Sequence, residues 1–193
     1  MTESNDPRPL LTRCLDQTGL IIGKVSPGDL AKPTPCTEFD VSALLAHVVG
    51  ATRRIGSIAR REPQEREVDQ PTGVPADGWS HVYGEARDEA ARSWSDDTIL
   101  GEEVVLPWAT MPGAAVAGMY ALELTVHAWD IAAAIGITAD LDPALAEATL
   151  PFAHQMVPAD FRGGDMPFEA VVPVPEDAPV YDRLVAFLGR TPA

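Results

Sequence analysis

Positive charge is scarce in this chain. Its 193 residues carry 14 Lys and Arg against 29 Asp and Glu, a formal net charge of −15 at pH 7. A surface of that sign repels phosphate backbones and anionic headgroups, which argues against nucleic acid and membranes as partners. Cysteine is scarcer still. Cys14 and Cys36 are the two present, too few for a disulfide framework, and they fit a reduced cytoplasmic protein. The opening residues, Met-Thr-Glu-Ser-Asn-Asp, lack the basic and apolar regions of a secretory signal. Long apolar runs are missing too: the least polar stretch, 111–137, is interrupted by Pro112, Glu123, His127 and Asp130, which speaks against a membrane span. No internal repeat is present.

What is there reads as an ordinary folded chain, 46% hydrophobic and 22% charged, long enough to bury a sizeable core. Periodicity and breakers predict mostly helix. A first helix spans Pro9 to Lys24. The proline-bearing stretch Lys32 to Phe39 reads as an extended linker, and Asp40 as the N-cap of a second helix from Val41 to about Arg61. Residues Glu62 to Gly78 form a long loop of the kind that often borders sites. A third helix covers Trp79 to Trp94, and Glu102 to Trp108 reads as a short strand before a turn at Thr110-Met111-Pro112-Gly113. The fourth helix, Ala114 to Ile135, is the most apolar and is expected to end at Gly136. Helices at Pro143 to Met156 and Pro179 to Leu188 follow, with a short strand expected within Phe168 to Pro175. The fold expected is mostly α: a four-helix bundle over 1–138 with a small α(+β) extension, 139–193, packed on it.

The chemistry concentrates on the fourth helix. Glu123 and His127 are four residues apart, roughly 6 Å along the axis and about 40° around it, so both reach one point beside the helix. A carboxylate on so apolar a helix needs a cation, a hydrogen-bond partner or a raised pKa. The same spacing also suits a simple Glu–His hydrogen bond or a solvated edge. His47 lies next to the apolar stripe Val41, Leu44, Leu45 and Val48 of the second helix, where it can line a bundle interior. Together, His47, Glu123 and His127 supply two imidazoles and one carboxylate, the donor set of an open catalytic zinc site or a non-haem iron triad.

Three segments carry a family resemblance: Pro33-Thr-Pro-Cys-Thr-Glu-Phe-Asp-Val-Ser-Ala-Leu-Leu-Ala-His-Val-Val-Gly50; Glu123-Leu-Thr-Val-His-Ala-Trp-Asp-Ile-Ala-Ala-Ala-Ile-Gly136; and the tail from Val172 through Asp182 to Pro192. They resemble the DinB-like helical bundles of the mycothiol-dependent maleylpyruvate isomerase group, in its small actinobacterial branch. The resemblance implies that His47, Glu123 and His127 match the family's three metal ligands. It further implies a divalent metal cofactor (zinc first, with nickel and iron fitting the same donors) and activation of a low-molecular-weight thiol, mycothiol, for attack on an electrophilic substrate. Two departures qualify it. Ala128 stands where the branch more often has Gly, and only about 55 residues follow the bundle, whereas the isomerase that names the group carries a larger C-terminal domain. Its isomerase activity is therefore not carried over.

Around the three donors, Asp130 is placed either to orient His127 as a hydrogen-bond acceptor or to serve as a surface or capping residue. Arg53 and Arg54 lie one to two turns beyond His47, where they can meet an anionic substrate or thiol or stay solvated. Cys36 sits near the positive end of the second helix, which lowers a thiol pKa, but with no base beside it in sequence it reads as packing, as do Tyr120 and Trp129. His81 and His154 lack partner spacing. The function expected is a metal-dependent thiol transferase or isomerase. A metal-dependent hydrolase without a thiol and a non-enzymatic metal-binding or interaction module are the alternatives, and a homodimer is left open as the assembly state.

Overall fold

The computed structural model describes residues 6–64, 70–158, 162–163 and 168–192. The polar start of the chain, the middle of the long loop and parts of the C-terminal extension lie outside the described residues.

Among the described residues six α-helices form where the apolar periodicity placed them: α1 (Arg8–Ile22), α2 (Val41–Ala59), α3 (Trp79–Ser93), α4 (Gly113–Ile135), α5 (Pro143–Met156) and α6 (Val180–Phe187). Caps explain several boundaries. The Asp40 side chain accepts from the backbone N–H of Ala43 at 2.8 Å and so satisfies one of the orphan donors at the start of α2. α4 stops at Gly136, whose φ of +79° is the left-handed C-cap conformation glycine adopts without penalty. Asp142 caps α5 by accepting from the N–H of Ala144.

Helix directions follow from end-to-end contacts. Arg60, just past α2, pairs with Glu89 and reaches Ser93 near the end of α3, so α2 and α3 run the same way. Arg8 at the start of α1 reaches the carbonyl of Trp94 just past α3, while Gly23 beyond the end of α1 lies against Ser80 at the start of α3, so α1 opposes α3. α4 begins beside Ile99, in the turn whose Asp97 pairs with Arg8, and therefore runs with α1. Two parallel neighbours, α2 and α3, must be joined by a chain that travels back a helix length, about 22 Å for 15 residues. That requirement accounts for the long 60–78 connection.

The same topology narrows one expectation. The described part of that loop nearest α2, residues 62–64, lines a cavity of about 390 Å³ with Arg61, Glu102 and Val104. This cavity lies past the end of α2, about 18 Å along the helix from His47. These residues do not border the His47 site.

Two further expectations are revised. The segment 110–113, read as a turn from its Pro-Gly pair, contains a strand: β1 (Glu103–Val105) pairs antiparallel with β2 (Thr110–Pro112), Val104 opposite Met111. Proline is tolerated there because a two-stranded ribbon has only edges, and one Pro N–H fewer leaves no central ladder broken. Conversely, 168–175 forms no strand. It runs against α6, with the N–H of Val172 donating to the carbonyl of Ala186 at 2.9 Å, and no strand among the described residues pairs with it.

The core is continuous from α1 through α4. Cys14 and Thr125 meet at 3.3 Å between α1 and α4, the Tyr83 hydroxyl donates to the carbonyl of Leu15 at 2.8 Å, and the Trp94 indole N–H donates to that of Ile55 at 2.9 Å. α5 and α6 pack on each other and on α4. No helix among the described residues is long and apolar enough to cross a membrane.

Glycine positions give a direct test of this packing. A Cβ at Gly84, inside α3, meets nothing within 4 Å, so Gly84→Ala should stabilise the chain by about 0.5–1 kcal/mol through helix propensity. A Cβ at Gly113 would collide with the carbonyl oxygen of Ile99, and Gly113→Ala should destabilise by about 1–3 kcal/mol. Urea unfolding of both variants would measure the opposite signs.

Candidate metal centre

The stretch before α2 is more than a linker. An isolated antiparallel bridge joins Pro33 to Asp40, and the Thr34 hydroxyl is shared between the carbonyls of Cys36 (2.9 Å) and Phe39 (2.8 Å). This closed loop turns Cys36 toward α4 and Phe39 onto His47 of α2. The Phe39 ring stacks on His47, centroids 5.3 Å apart and planes 22° from parallel. The Cys36 thiol joins His127 and Asp130, with their donor atoms all within 4.8 Å of one another.

α2 and α4 run antiparallel and face each other, and this brings His47 to Glu123 and His127. Their donor atoms also lie within 4.8 Å of one another. His47 Nε2 is 3.3 Å from Glu123 Oε1, and the two imidazoles meet edge to face, 5.0 Å between centroids. The side chains of His47 and Glu123 stay 22% and 27% exposed, so the cluster opens to solvent on one side.

Beneath it, Asp130 is fully buried. His127 Nδ1 lies 2.9 Å from Asp130 Oδ2, a contact in which the ring nitrogen donates to the ionised carboxylate and Nε2 keeps its lone pair. Arg190, from the tail, closes the other side: its Nε donates to Oδ1 at 2.8 Å and its Nη2 to Oδ2 at 2.9 Å, the bidentate fork of a strong ion pair. Burial by itself would raise the Asp130 pKa. The hydrogen bonds from His127 and Arg190 and the Arg190 charge outweigh it and hold the carboxyl below its ordinary value. Glu123 follows the same logic: burial pushes it up, and the hydrogen bond from His47 with the electrostatic influence of His127, His47 and Arg54 brings it below normal.

The two arginines after His47 part company. Arg54 is 7% exposed and faces α4, where it acts on Glu123 and the Tyr120 hydroxyl. Arg53, about 100° further round the helix, faces α3 and lines a cleft with Glu85, Asp88, Glu89 and Arg92. Tyr120 and Trp129 are buried in the core. His81 pairs with Glu85 on the exposed face of α3, and His154 lies against the Phe187 ring; neither approaches the cluster's donor set.

Cys36 packs, partly buried, against His127 and Asp130. The expectation that a helix start lowers its pKa is overturned: burial, then the Asp130 charge, push the thiol up despite Arg190 beside it. Its position four residues before the N-cap of the helix that carries His47 was the available signal. For Arg190 there was no local signal, because its partner lies 60 residues away.

The family profile described as Mycothiol maleylpyruvate isomerase N-terminal domain matches residues 11–132. The chain belongs to this family. Within the mycothiol maleylpyruvate isomerase N-terminal domain match lie His47, Glu123, His127 and Asp130, while Arg190 lies beyond it. Two uncharacterized proteins of Mycobacterium tuberculosis, from strains CDC 1551 / Oshkosh and ATCC 25618 / H37Rv, are each 34% identical over 188 residues, 96% of this chain and 98% of each relative. These relatives therefore share the C-terminal extension as well as the family domain. No solved structure matches the chain significantly.

Arg190→Ala would leave the Asp130 carboxylate buried with one partner removed, and should cost about 3–5 kcal/mol of stability. In a double-mutant cycle with Asp130→Asn, read by chemical denaturation, the two changes should be strongly non-additive, with the double variant losing less than the sum. Additive losses would show that the pair is not coupled.

Proposed function

We propose that this protein is a divalent-metal-dependent enzyme that activates a low-molecular-weight thiol, mycothiol in this family, for transfer to or isomerisation of an electrophilic substrate. His47, Glu123 and His127 would hold the ion. The observation that carries this reading is the convergence of two imidazoles and one carboxylate from facing helices on a partly open point. One donor pair stands at metal-ligand spacing: ligands about 2.05 Å from a common tetrahedral ion stand about 3.3 Å apart, and His47 Nε2 and Glu123 Oε1 are 3.3 Å apart, with the His127 donor within 4.8 Å of both. Three protein donors leave a position for a small molecule, the pattern of a catalytic rather than a structural zinc site.

A divalent ion, when bound, supplies Lewis acidity that lowers the pKa of a thiol or water presented to it. The remaining work belongs to the chain. Asp130 holds the proton of His127 on Nδ1, which presents Nε2 as the free donor and fixes the plane of the ring. Arg190 keeps Asp130 from turning away. Phe39, stacked on His47, restricts that ring and excludes water from one of its faces. Zinc, nickel and iron all accept these donors, and zinc is the first choice. The cytoplasm, where thiols stay reduced, is the compartment this chemistry needs.

Metal analysis of protein purified without a polyhistidine tag tests the reading. The native chain should carry a stoichiometric divalent ion, and His127→Ala and His47→Ala should carry almost none while keeping their helical circular dichroism. Asp130→Asn should lower metal affinity by about 10–100-fold. A full metal load surviving His127→Ala would remove the site. Mycothiol should raise the melting temperature of the metal-loaded protein and leave the metal-free protein unchanged; hydrolytic turnover without any thiol would instead favour a metallohydrolase.

A further inference from the structure

The ribbon of β1 and β2 has two outer edges, and only one of them is blunted. The N–H of Leu106 donates to the carbonyl of Ala109, and the N–H of Gly113 to that of Glu102. With Val104 opposite Met111, the backbone groups of Glu102, Val104 and Leu106 therefore turn toward β2. By the alternation of an antiparallel ladder, those of Glu103 and Val105 turn away from it. These two N–H and two C=O groups have no partner among the described residues. On the far edge of the ribbon the outward positions are Thr110 and Pro112, and a proline offers no N–H to a further strand, a usual way of protecting an edge. The β1 edge carries no such guard, and Val105 on it is 69% exposed.

This open edge lines the cavity of about 390 Å³ past the end of α2, where Ile58, Pro63, Val104 and Leu106 supply apolar wall and Glu62 and Glu103 acidic rim. The guanidiniums nearby are already taken: Arg60 by Glu62 and Glu89, Arg61 by Glu102 and Asp96. Glu103 pairs with no cation among the described residues. A strand laid along β1, about 4.8 Å away, would alternate its side chains between two unlike faces. One face continues the buried side of Val104 and takes an apolar residue; the other continues the exposed side of Glu103 and takes a Lys or Arg. We propose that the outer edge of β1 docks an extended peptide segment of alternating basic and apolar residues, added antiparallel as a third strand. A second copy of the chain fits worse, because pairing two β1 edges would bring together the acidic rims of two molecules that each carry a charge of −15. The edge is remote from the His47 cluster, and the proposal stands whether or not that cluster holds a metal.

The test titrates the full chain with the peptide acetyl-Lys-Val-Lys-Val-Lys-amide, followed by calorimetry and by amide hydrogen exchange at single residues. Saturable binding is expected, at least about tenfold tighter than for acetyl-Glu-Val-Glu-Val-Glu-amide, which meets Glu103 with like charge. Exchange at the N–H groups of Glu103 and Val105 should slow on binding, because both are open before it and bonded after it. In the antiparallel register the lysines lie opposite Glu103 and Val105 and make the backbone bonds, while the valine N–H groups point away. Methylating the backbone nitrogens of the lysines should therefore weaken binding about tenfold or more, and methylating those of the valines should leave most of it. Val105→Pro removes one outward donor and no bond to β2, and should also weaken the basic peptide about tenfold. Glu103→Lys should reverse the preference between the two peptides. Thr110→Pro, the matching change on the far edge, should bind as the native chain does.

No saturable binding of the basic peptide up to about 1 mM, a weak but measurable affinity, would overturn the proposal. So would equal binding of the basic and acidic peptides, or full affinity of the peptide methylated at its lysines. A Val105→Pro protein, folded by circular dichroism, that binds as tightly as the native chain would place the contact away from this edge and overturn it too. Sedimentation velocity reads the competing occupant: a native dimer that Val105→Pro converts to monomer would assign the edge to a second copy and reject the peptide.

Discussion

A carboxylate with no solvent exposure sits at the point where the bundle, the candidate site and the C-terminal tail meet. Taken from water alone, Asp130 would be protonated or would unfold its surroundings. It is held ionised because His127 donates to one oxygen and Arg190 spans both. Each partner is thereby fixed in return. The imidazole is locked in one orientation with its second nitrogen outward, and residue 190 is tied to a helix 60 positions earlier. The tail turns into this contact at Gly189, whose φ of +86° and close approach to the backbone of Glu169 leave no room for a side chain. The short C-terminal extension is therefore part of the support of His127 rather than an appendage on a finished bundle.

Along α4 the functional groups fall into three levels. Tyr120 lies beside Arg54; Glu123 and His127 face His47; Asp130 lies beside Cys36 and Arg190. Charge alternates down this column, with a cation on top, an acid and two imidazoles in the middle, and an acid with a cation at the bottom. In a low-dielectric interface each group limits the cost of its neighbour, and this is how an apolar helix can carry two carboxylates inward. The elements feeding the column are distant in sequence: the Pro33–Asp40 loop, the hairpin tip and the tail.

Much of this was legible beforehand, for identifiable reasons. Helix α4 was read closely because its periodicity, its apolarity and its glycine C-cap agree with one another. Glu123 and His127 could be paired because a helix sets the distance between residues four apart. His47 was harder to place, since periodicity puts it at the edge of a stripe without saying what faces that edge. The strand at 110–112 was missed because Pro112-Gly113 reads as a turn in isolation, and only the partner strand at 103–105 shows otherwise. That Cys36 meets His127 and Asp130 is not legible in the sequence, because those residues are some 90 positions on in the chain.

The sequence by itself determined the helices, the acidic surface, and the presence of three metal-competent donors, because these depend on local propensity and on composition. The tertiary structure decided which donors converge, that α2 and α3 run parallel and so need a long connection, and that Arg54 rather than Arg53 faces the site. It also decided that Arg190 completes the environment of Asp130. Such facts depend on which faces of separate helices pack together. One residue of rotation, about 100° on a helix, separates a side chain in the site from one on the opposite flank.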